Sequence, residues 1–355
     1  MNREATGNNH EFNKSVILEQ QFREILSPEF PEFLNDYIDT PPMQRLDGTD
    51  MWCGCSQTKL INYPFRSNLD HSIGVALIVW NFTHDEKQTL SALFHDIATP
   101  TFKHCVDYLH GDHETQESTE GPTKEIIKDS PQIMALLGRD KITVDEVADY
   151  HIYPIADNDT PGLSADRLEY TMSALLLYGF DWSINDISKV YNDLTILTNE
   201  NDMDELGFKT QKVAEKFIDG GNKCWPQWCD SRNKLTMSFI SDVLKRAMKQ
   251  KIITEKDLYL CSETEIIQKI TSESPRLAVA WQNFTENTVI HESKVPPLGK
   301  YCIDNIQAKK RYINPLVAGP DGAKRLSEVS PKHKQMIDDF IALTFPRYAW
   351  FDFEL

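Results

Sequence analysis

The sequence predicts a mainly α-helical protein with a smaller mixed α+β portion toward its C-terminus. Three observations carry this. Apolar residues recur at helical spacing, often behind a capping Ser, through most of residues 16–284. Strand-like runs gather near residues 288–318. No internal repeat, low-complexity tract or linker long enough to force a domain split interrupts the pattern.

Taken in order, Val16 to Leu26 reads as a helix with Ser15 as N-cap. Leu69 to Phe82 carries apolar residues on most faces (Ile73, Val75, Leu77, Ile78, Val79, Trp80), which predicts a buried central helix. Gln88 to Ile97 is a second apolar helix, stopped by Thr99-Pro100, and Phe102 to Leu109 a third. His113 to Lys128 is more polar. Ser130-Pro131 opens another helix with a cap and a proline at its first position. Ser164 caps a helix to Tyr178, which Gly179 ends. Leu194 to Thr198 and Leu206 to Lys209 flank an acidic turn and predict a hairpin. Lys212–Phe217, Lys234–Lys249, Glu263–Ile270, Pro275–Phe284 and Pro331–Leu343 read as helices; Thr288–Val295, Tyr301–Ile306 and Arg311–Val317 read as strands.

Composition bounds the function. Forty per cent hydrophobic residues supports a folded core. No apolar run approaches the roughly 20 residues that span a bilayer, and Met1 to Lys14 lacks a signal-peptide core, so a soluble, cytoplasmic protein is expected. Seven cysteines, an odd number, suggest reduced thiols. Cys224 and Cys229 flank Trp225 and Trp228 and read as packing rather than a zinc site. The net charge of −17 disfavours non-specific nucleic-acid binding but leaves a nucleotide substrate open. Self-association into a homo-oligomer is compatible with the sequence.

The chemistry-bearing residues are His71, the pair His95-Asp96, and Asp166, each in a segment that reads as helix. Imidazole nitrogens and carboxylate oxygens together suit a divalent cation such as Mn, Mg, Fe, Co, Ni or Zn. Such an ion polarises a phosphoryl oxygen and lowers the pKa of water. Each residue also has a plainer reading: Asp96 as a cap beside a core His95, Asp166 as helix-dipole stabilisation. A second pair, His84-Asp85, lies in the polar stretch Thr83 to Gln88 and reads as solvated loop.

The flanking segments resemble a known family, the HD-domain phosphohydrolases, and within it the dGTPase-like deoxynucleoside triphosphate triphosphohydrolases. The resemblance spans about residues 38–178: Ile38-Asp39-Thr40-Pro41-Pro42-Met43-Gln44-Arg45-Leu46, Asn68-Leu69-Asp70-His71-Ser72-Ile73-Gly74-Val75, the central stretch from Phe94-His95-Asp96 to Lys103-His104, Asp112-His113-Glu114, and Asp166-Arg167-Leu168-Glu169-Tyr170. It implies an HD-domain helical bundle over residues 38–200, preceded by an N-terminal helical segment, 1–37, and followed by a helical and small β portion, 201–355. It also implies that His71, His95, Asp96 and Asp166 bind the metal, that His104, Asp107 and His113 line the phosphate site and assist water or leaving group, and that Arg167 and Tyr170 lie near a bound nucleotide.

The chain departs from that pattern in its substrate shell. Thr99 stands where the family carries His, and Pro100-Thr101 replace Gly-Pro. The family's Arg falls at or near Asn68, with Arg66 two residues early as its candidate replacement. Met51-Trp52 correspond to a sugar-contacting Gln-Leu pair, and Ser173-Ala174 to an Arg-Asp pair. The expected activity is metal-dependent hydrolysis of a phosphate ester, nucleotides first. A nucleoside monophosphatase, a cyclic-nucleotide phosphodiesterase and a non-catalytic nucleotide sensor are the alternatives. His110, near His104 and His113, leaves room for a second metal. Lys309-Lys310-Arg311-Tyr312 is a basic cluster that reads either as a solvated strand end or as a phosphate contact, and Trp281 and Phe284 read as core.

Overall fold

The computed structural model describes residues 9–61, 63–111, 122–286, 288–304 and 310–355, residues 9–17 by their backbone. These form sixteen α-helices and seven short strands. The helices are α1 (Asn9–Leu26), α2 (Phe33–Ile38), α3 (Pro41–Gln44), α4 (Asn68–Thr83), α5 (Glu86–Phe94), α6 (Cys105–His110), α7 (Thr123–Asp129), α8 (Pro131–Asp140), α9 (Ala165–Leu177) and α10 (Ile184–Asn192), then α11 (Gln211–Cys229), α12 (Ser231–Lys249), α13 (Glu263–Glu273), α14 (Pro275–Glu286), α15 (Leu326–Val329) and α16 (Pro331–Ala342). The strands are β1 (Leu194–Thr198), β2 (Asp204–Phe208), β3 (Ile290–Ser293), β4 (Tyr301–Asp304), β5 (Leu316–Val317), β6 (Lys324–Arg325) and β7 (Tyr348–Phe351).

Helix α4 is the axis of the molecule. Leu69, Ile73 and the run Val75 to Val79 are all buried, and the helix packs against α1, α5 and α9. Its start is set by Ser67, whose hydroxyl accepts from the Asp70 amide at 3.0 Å and donates to the Asp70 carboxylate at 2.8 Å. Its end is set by His84, which adopts a left-handed conformation at φ 49°. Asp85 then caps α5, accepting from the Lys87 and Gln88 amides at 2.9 and 3.0 Å. His84-Asp85 is the expected loop between the two helices, with His84 exposed, and its residues also cap both helix ends. Ser164 caps α9 by accepting from the Arg167 amide, and Gly179, at φ 75°, follows that helix.

The strands build two small sheets. One has the order β1-β2-β5-β6, with β2 and β5 parallel; the other is antiparallel, β3-β7-β4. The larger apolar core runs from Phe22 to Phe340 and so joins all three sequence regions. A second core, from Phe239, Phe284, Tyr301 and Phe351, also takes in Cys53, Phe102 and Cys105. That contact brings the C-terminal portion against the loop beyond His95-Asp96.

Several boundaries differ from the sequence expectation. Helix α1 begins at Asn9, so Ser15 lies inside it rather than at its start. Helix α5 ends at Phe94, and His95 to Ala98 form a turn. Phe102 and Lys103 both have positive φ, 69° and 44°, which delays the next helix to Cys105. Helix α11 continues far past Phe217, through Gly220, Gly221 and Pro226, to Cys229. Of Arg311–Val317, only Leu316–Val317 is strand. Trp281 and Phe284 are core, as expected.

Candidate metal centre

Three chain segments converge on one point. The first turn of α4 supplies His71, the turn after α5 supplies His95 and Asp96, and the first turn of α9 supplies Asp166. The Nε2 atoms of His71 and His95 stand 3.3 Å apart. Asp96 Oδ2 lies 3.5 Å from His95 Nε2 and 3.9 Å from His71 Nε2. Asp166 Oδ1 lies 3.1 Å from His71 Nε2 and 3.8 Å from His95 Nε2. Ligand atoms of His71, His95 and Asp96 all fall within 4.8 Å of one another.

The outer nitrogens fix the ring orientations. His95 Nδ1 donates to the Ala92 carbonyl at 2.7 Å. His71 Nδ1 is hydrogen-bonded to Glu169, a carboxylate buried completely against α4. Both rings therefore aim Nε2 at the same place, where the carboxylate oxygens of Asp96 and Asp166 join them. A cluster of converging acceptors is costly to bury unless a cation or proton sits among them. Without a cation a proton serves: burial alone would lower the His71 pKa, yet the Glu169 charge and the hydrogen bonds to Asp166 and Glu169 raise it to about 9. The donor set, two imidazoles and two carboxylates, fits a divalent cation, and a carboxylate behind a histidine is the usual support of such a ligand.

Glu169 is a residue the sequence reading did not single out, although it lies three residues after Asp166 on the same helix face. Its other oxygen accepts from Arg66 at 2.6 Å, and Arg66 reaches Glu19 through two contacts of 3.0 Å. Arg66 is buried, and although burial opposes its charge, Glu169 and Glu19 hold its pKa above the ordinary value. Its guanidinium serves the His71 support and does not line the cavity beside the metal cluster. Arg167 is likewise committed elsewhere. It donates to the Gly162 carbonyl at 2.7 Å, pairs with Asp157 at 3.2 Å and bonds Asn158, tying the 157–162 loop to α9. The geometry thus gives both arginines structural partners where substrate contacts were expected.

Tyr170, His104 and Arg311 do face the cavity, which has a volume of about 160 Å³. His104 Nδ1 bonds the buried Asp107 carboxylate at 2.8 Å, and its Nε2 lies 3.4 Å from Arg311 Nη2. Burial pulls the His104 pKa down, Asp107 opposes this and Arg311 adds to it, and the net lowering favours the neutral ring. Lys103 also lines the cavity; its Nζ donates to Asp96 Oδ2 at 2.9 Å and to Asn68 Oδ1 at 2.6 Å. The Thr99 hydroxyl donates to Asp96 Oδ1 at 3.0 Å. Arg45, in the first segment of the family resemblance, holds the turn in place through the carbonyls of Ile97 and Thr99, at 3.0 and 2.8 Å.

Much of the remaining wall is aromatic. Tyr63 and Tyr178 stack at 3.6 Å, Trp52 meets Tyr178 edge-on at 4.9 Å, and Tyr170 meets Trp228 edge-on at 5.2 Å. Met51 and Trp52 line the cavity, whereas Ser173 and Ala174 are buried away from it. His110 pairs with Glu255 at 2.9 Å and does not join the cluster. His113, with Asp112 and Glu114, and Lys309 lie outside the described residues. All seven cysteines are free thiols. No helix among the described residues is long and apolar enough to cross a membrane.

Comparison with known proteins places this geometry in context. No family model matches the chain. It is 22% identical over 313 residues to the uncharacterised protein YdhJ of Bacillus subtilis, covering 85% of this chain and 89% of that one. It is 26% identical over 190 residues to the metal-dependent phosphohydrolase cns2 of Cordyceps militaris, 51% of each chain. Among solved structures it superposes on a hypothetical protein from Aquifex aeolicus with a TM-score of 0.60 at 16% identity, covering 91% of this chain and 92% of that one. It superposes on a phosphohydrolase from Bacteroides thetaiotaomicron with a TM-score of 0.64 at 13% identity, over 92% and 97%. The chain therefore shares the fold of these solved proteins, and at the junction of α4, α5 and α9 this chain carries a His-His-Asp cluster suited to a divalent cation.

Proposed function

We propose that the protein is a metal-dependent phosphohydrolase of the HD type that cleaves a phosphate ester, most readily one carried by a nucleotide. The observation that carries this is the convergence of His71, His95, Asp96 and Asp166 in a cavity that also holds Lys103, His104 and Arg311. The similarity to cns2 and the fold shared with the Bacteroides protein support it.

A divalent ion held by the four ligands would polarise the phosphoryl oxygen and lower the pKa of the attacking water. The chain's own groups do the rest. Asp107 holds His104 in the tautomer with Nδ1 protonated, so that its neutral Nε2 can take a proton from water or, once protonated, give one to the leaving oxygen. Lys103 and Arg311 place positive charge where the phosphoryl oxygens gain negative charge. Trp52, Tyr63, Tyr170 and Tyr178 offer flat apolar surface to a base.

The dGTPase-like reading asks for cations along a triphosphate. Arg66 and Arg167 are engaged by Glu19, Glu169, Asp157 and Asn158, and Ser173-Ala174 carry no charge. These facts favour a second reading, a nucleoside monophosphatase or cyclic-nucleotide phosphodiesterase, over release of triphosphate. A screen of divalent metals against nucleoside mono-, tri- and cyclic phosphates, with products identified by chromatography and ³¹P NMR, decides. Orthophosphate or a linear nucleotide supports the second reading, and triphosphate the first. Metal-loaded protein that binds nucleotides and turns over none leaves a nucleotide sensor.

A further inference from the structure

Helix α1 meets the start of α4 through charge as well as apolar packing. Phe22 and Leu26 are buried, and the Tyr191 hydroxyl, from α10, donates to the Leu26 carbonyl at 2.6 Å. Two ion pairs then reach the residues on either side of the Ser67 cap. Arg23 Nη2 stands 2.5 Å from Oδ1 of Asp70, the residue before His71. Glu19 accepts from Nε and Nη2 of Arg66, each at 3.0 Å, and Phe22 places its ring 5.6 Å from the same guanidinium. No described residue of α1 lines the cavity.

Arg66 is the junction. Its Nη2 is shared between Glu19 and Glu169, at 3.0 and 2.6 Å, and the other Glu169 oxygen holds His71 Nδ1. The contacts therefore run Glu19–Arg66–Glu169–His71, from a helix outside the metal centre to one of its ligands. Two carboxylates and one guanidinium leave one negative charge behind the His71 ring. Without Glu19 the other two would cancel, and the guanidinium would draw the Glu169 carboxylate away from the imidazole. Burial opposes the Glu19 charge, but Arg66, and Arg23 with it, hold its pKa below the ordinary value, which favours the charged form.

We propose that Glu19 is a positioning residue of the metal centre: acting through Arg66 and Glu169 it sets the orientation and basicity of His71, so that docking of α1 and binding of the divalent ion favour each other. This rests on the reading of the site as a metal centre. An imidazole whose outer N–H is held by a carboxylate binds a cation more tightly, and a buried carboxylate keeps such a place only while its own charge is partnered. The coupling is reciprocal: what α1 adds to metal affinity, the metal adds to the docking of α1.

The test uses the full chain and reads metal binding and α1 docking, not turnover. Mn²⁺ affinity is measured by competition with a chromophoric chelator, and docking by hydrogen exchange at the 22–26 amides with and without Mn²⁺. Glu19→Gln keeps the size of the side chain and removes its charge. It should bind Mn²⁺ about tenfold more weakly, the low end of the loss when an outer partner of a metal ligand is disturbed. Glu19→Asp, which restores the charge, should recover part of the affinity. Glu24→Gln, the same charge change on the same helix at an exposed residue bonded to Gln20, should leave it unchanged. In the wild type Mn²⁺ should slow exchange at the α1 amides, and in Glu19→Gln this slowing should shrink. The wild-type exchange comparison needs no variant, which keeps the test open if Glu19→Gln does not fold. Equal Mn²⁺ affinity in wild type and Glu19→Gln, or wild-type α1 exchange indifferent to Mn²⁺, would overturn the proposal while the metal centre stands. A wild type that takes up no divalent ion would sink the metal centre and this proposal with it.

Discussion

A Cβ atom on Gly74 would stand 2.7 Å from Oε1 of Glu169 and 2.9 Å from its Cγ. The bare backbone of α4 at that position is what lets the Glu169 carboxylate reach His71 and Arg66. Gly74→Ala should gain about 1 kcal/mol of helix propensity yet displace Glu169 and loosen the His71 ring. The expected outcome is a metal affinity lower by about 10- to 100-fold, measured by competition with a chromophoric chelator, while the fold survives. Unchanged affinity would mean that Glu169 does not support His71.

The two His-Asp pairs should respond in opposite ways. His95→Ala with Asp96→Ala should abolish metal retention, and with it any hydrolysis, because two of the four ligands go. Asp85→Ala should leave metal content untouched and cost about 1 kcal/mol of stability, since Asp85 caps α5 through two amides. Urea melts and metal analysis on the same preparations separate the effects. Full metal retention in the His95/Asp96 double variant would remove the site assignment.

Asp50 and Glu263 give the fold a pH dependence. Both carboxylates are buried, and Glu263 accepts from the Asp50 amide at 3.0 Å and from Gln57 at 3.1 Å. Burial, and then the neighbouring Asp50 charge, push Glu263 up to about 8, and burial raises Asp50 as well. Acids whose pKa is raised on folding hold protons that the unfolded chain gives up. Their stabilising effect is complete below their ordinary values, near 4 to 4.5, and is lost as pH rises toward about 8. Melting temperature should fall across that window, and Glu263→Gln should flatten the fall, melting at least about 2 °C above the wild type at pH 8. Parallel pH profiles for the two proteins would contradict this origin.

The elements legible in the sequence were those with local signals. Ser130 and Ser164 mark helix starts, Gly179 marks a helix end, and the all-round apolar run of Ile73 to Val79 marks the central helix. Helix α11 was legible only in its first turns, because Gly220, Gly221 and Pro226 look like breakers. In the fold, a Cβ on Gly220 would meet Trp182 at 2.7 Å and Leu175 at 2.9 Å, so the glycine serves close packing. The turn at His95-Asp96 looked helical because Phe94 and Ile97 continue the apolar pattern.

By itself the sequence determined the mainly helical class, the position of the buried helix α4 and the residue types able to hold a divalent cation. Those follow from periodicity, caps and ligand chemistry, all read over a few residues. The tertiary structure decided which charges meet. It turned Arg66 and Arg167 inward onto carboxylates and carbonyls, revealed Glu169 behind His71, and brought Lys103 and Arg311 to one cavity from positions more than two hundred residues apart. The physical reason is desolvation: a buried charge must find a partner, and the partner is set by three-dimensional packing rather than by spacing along the chain.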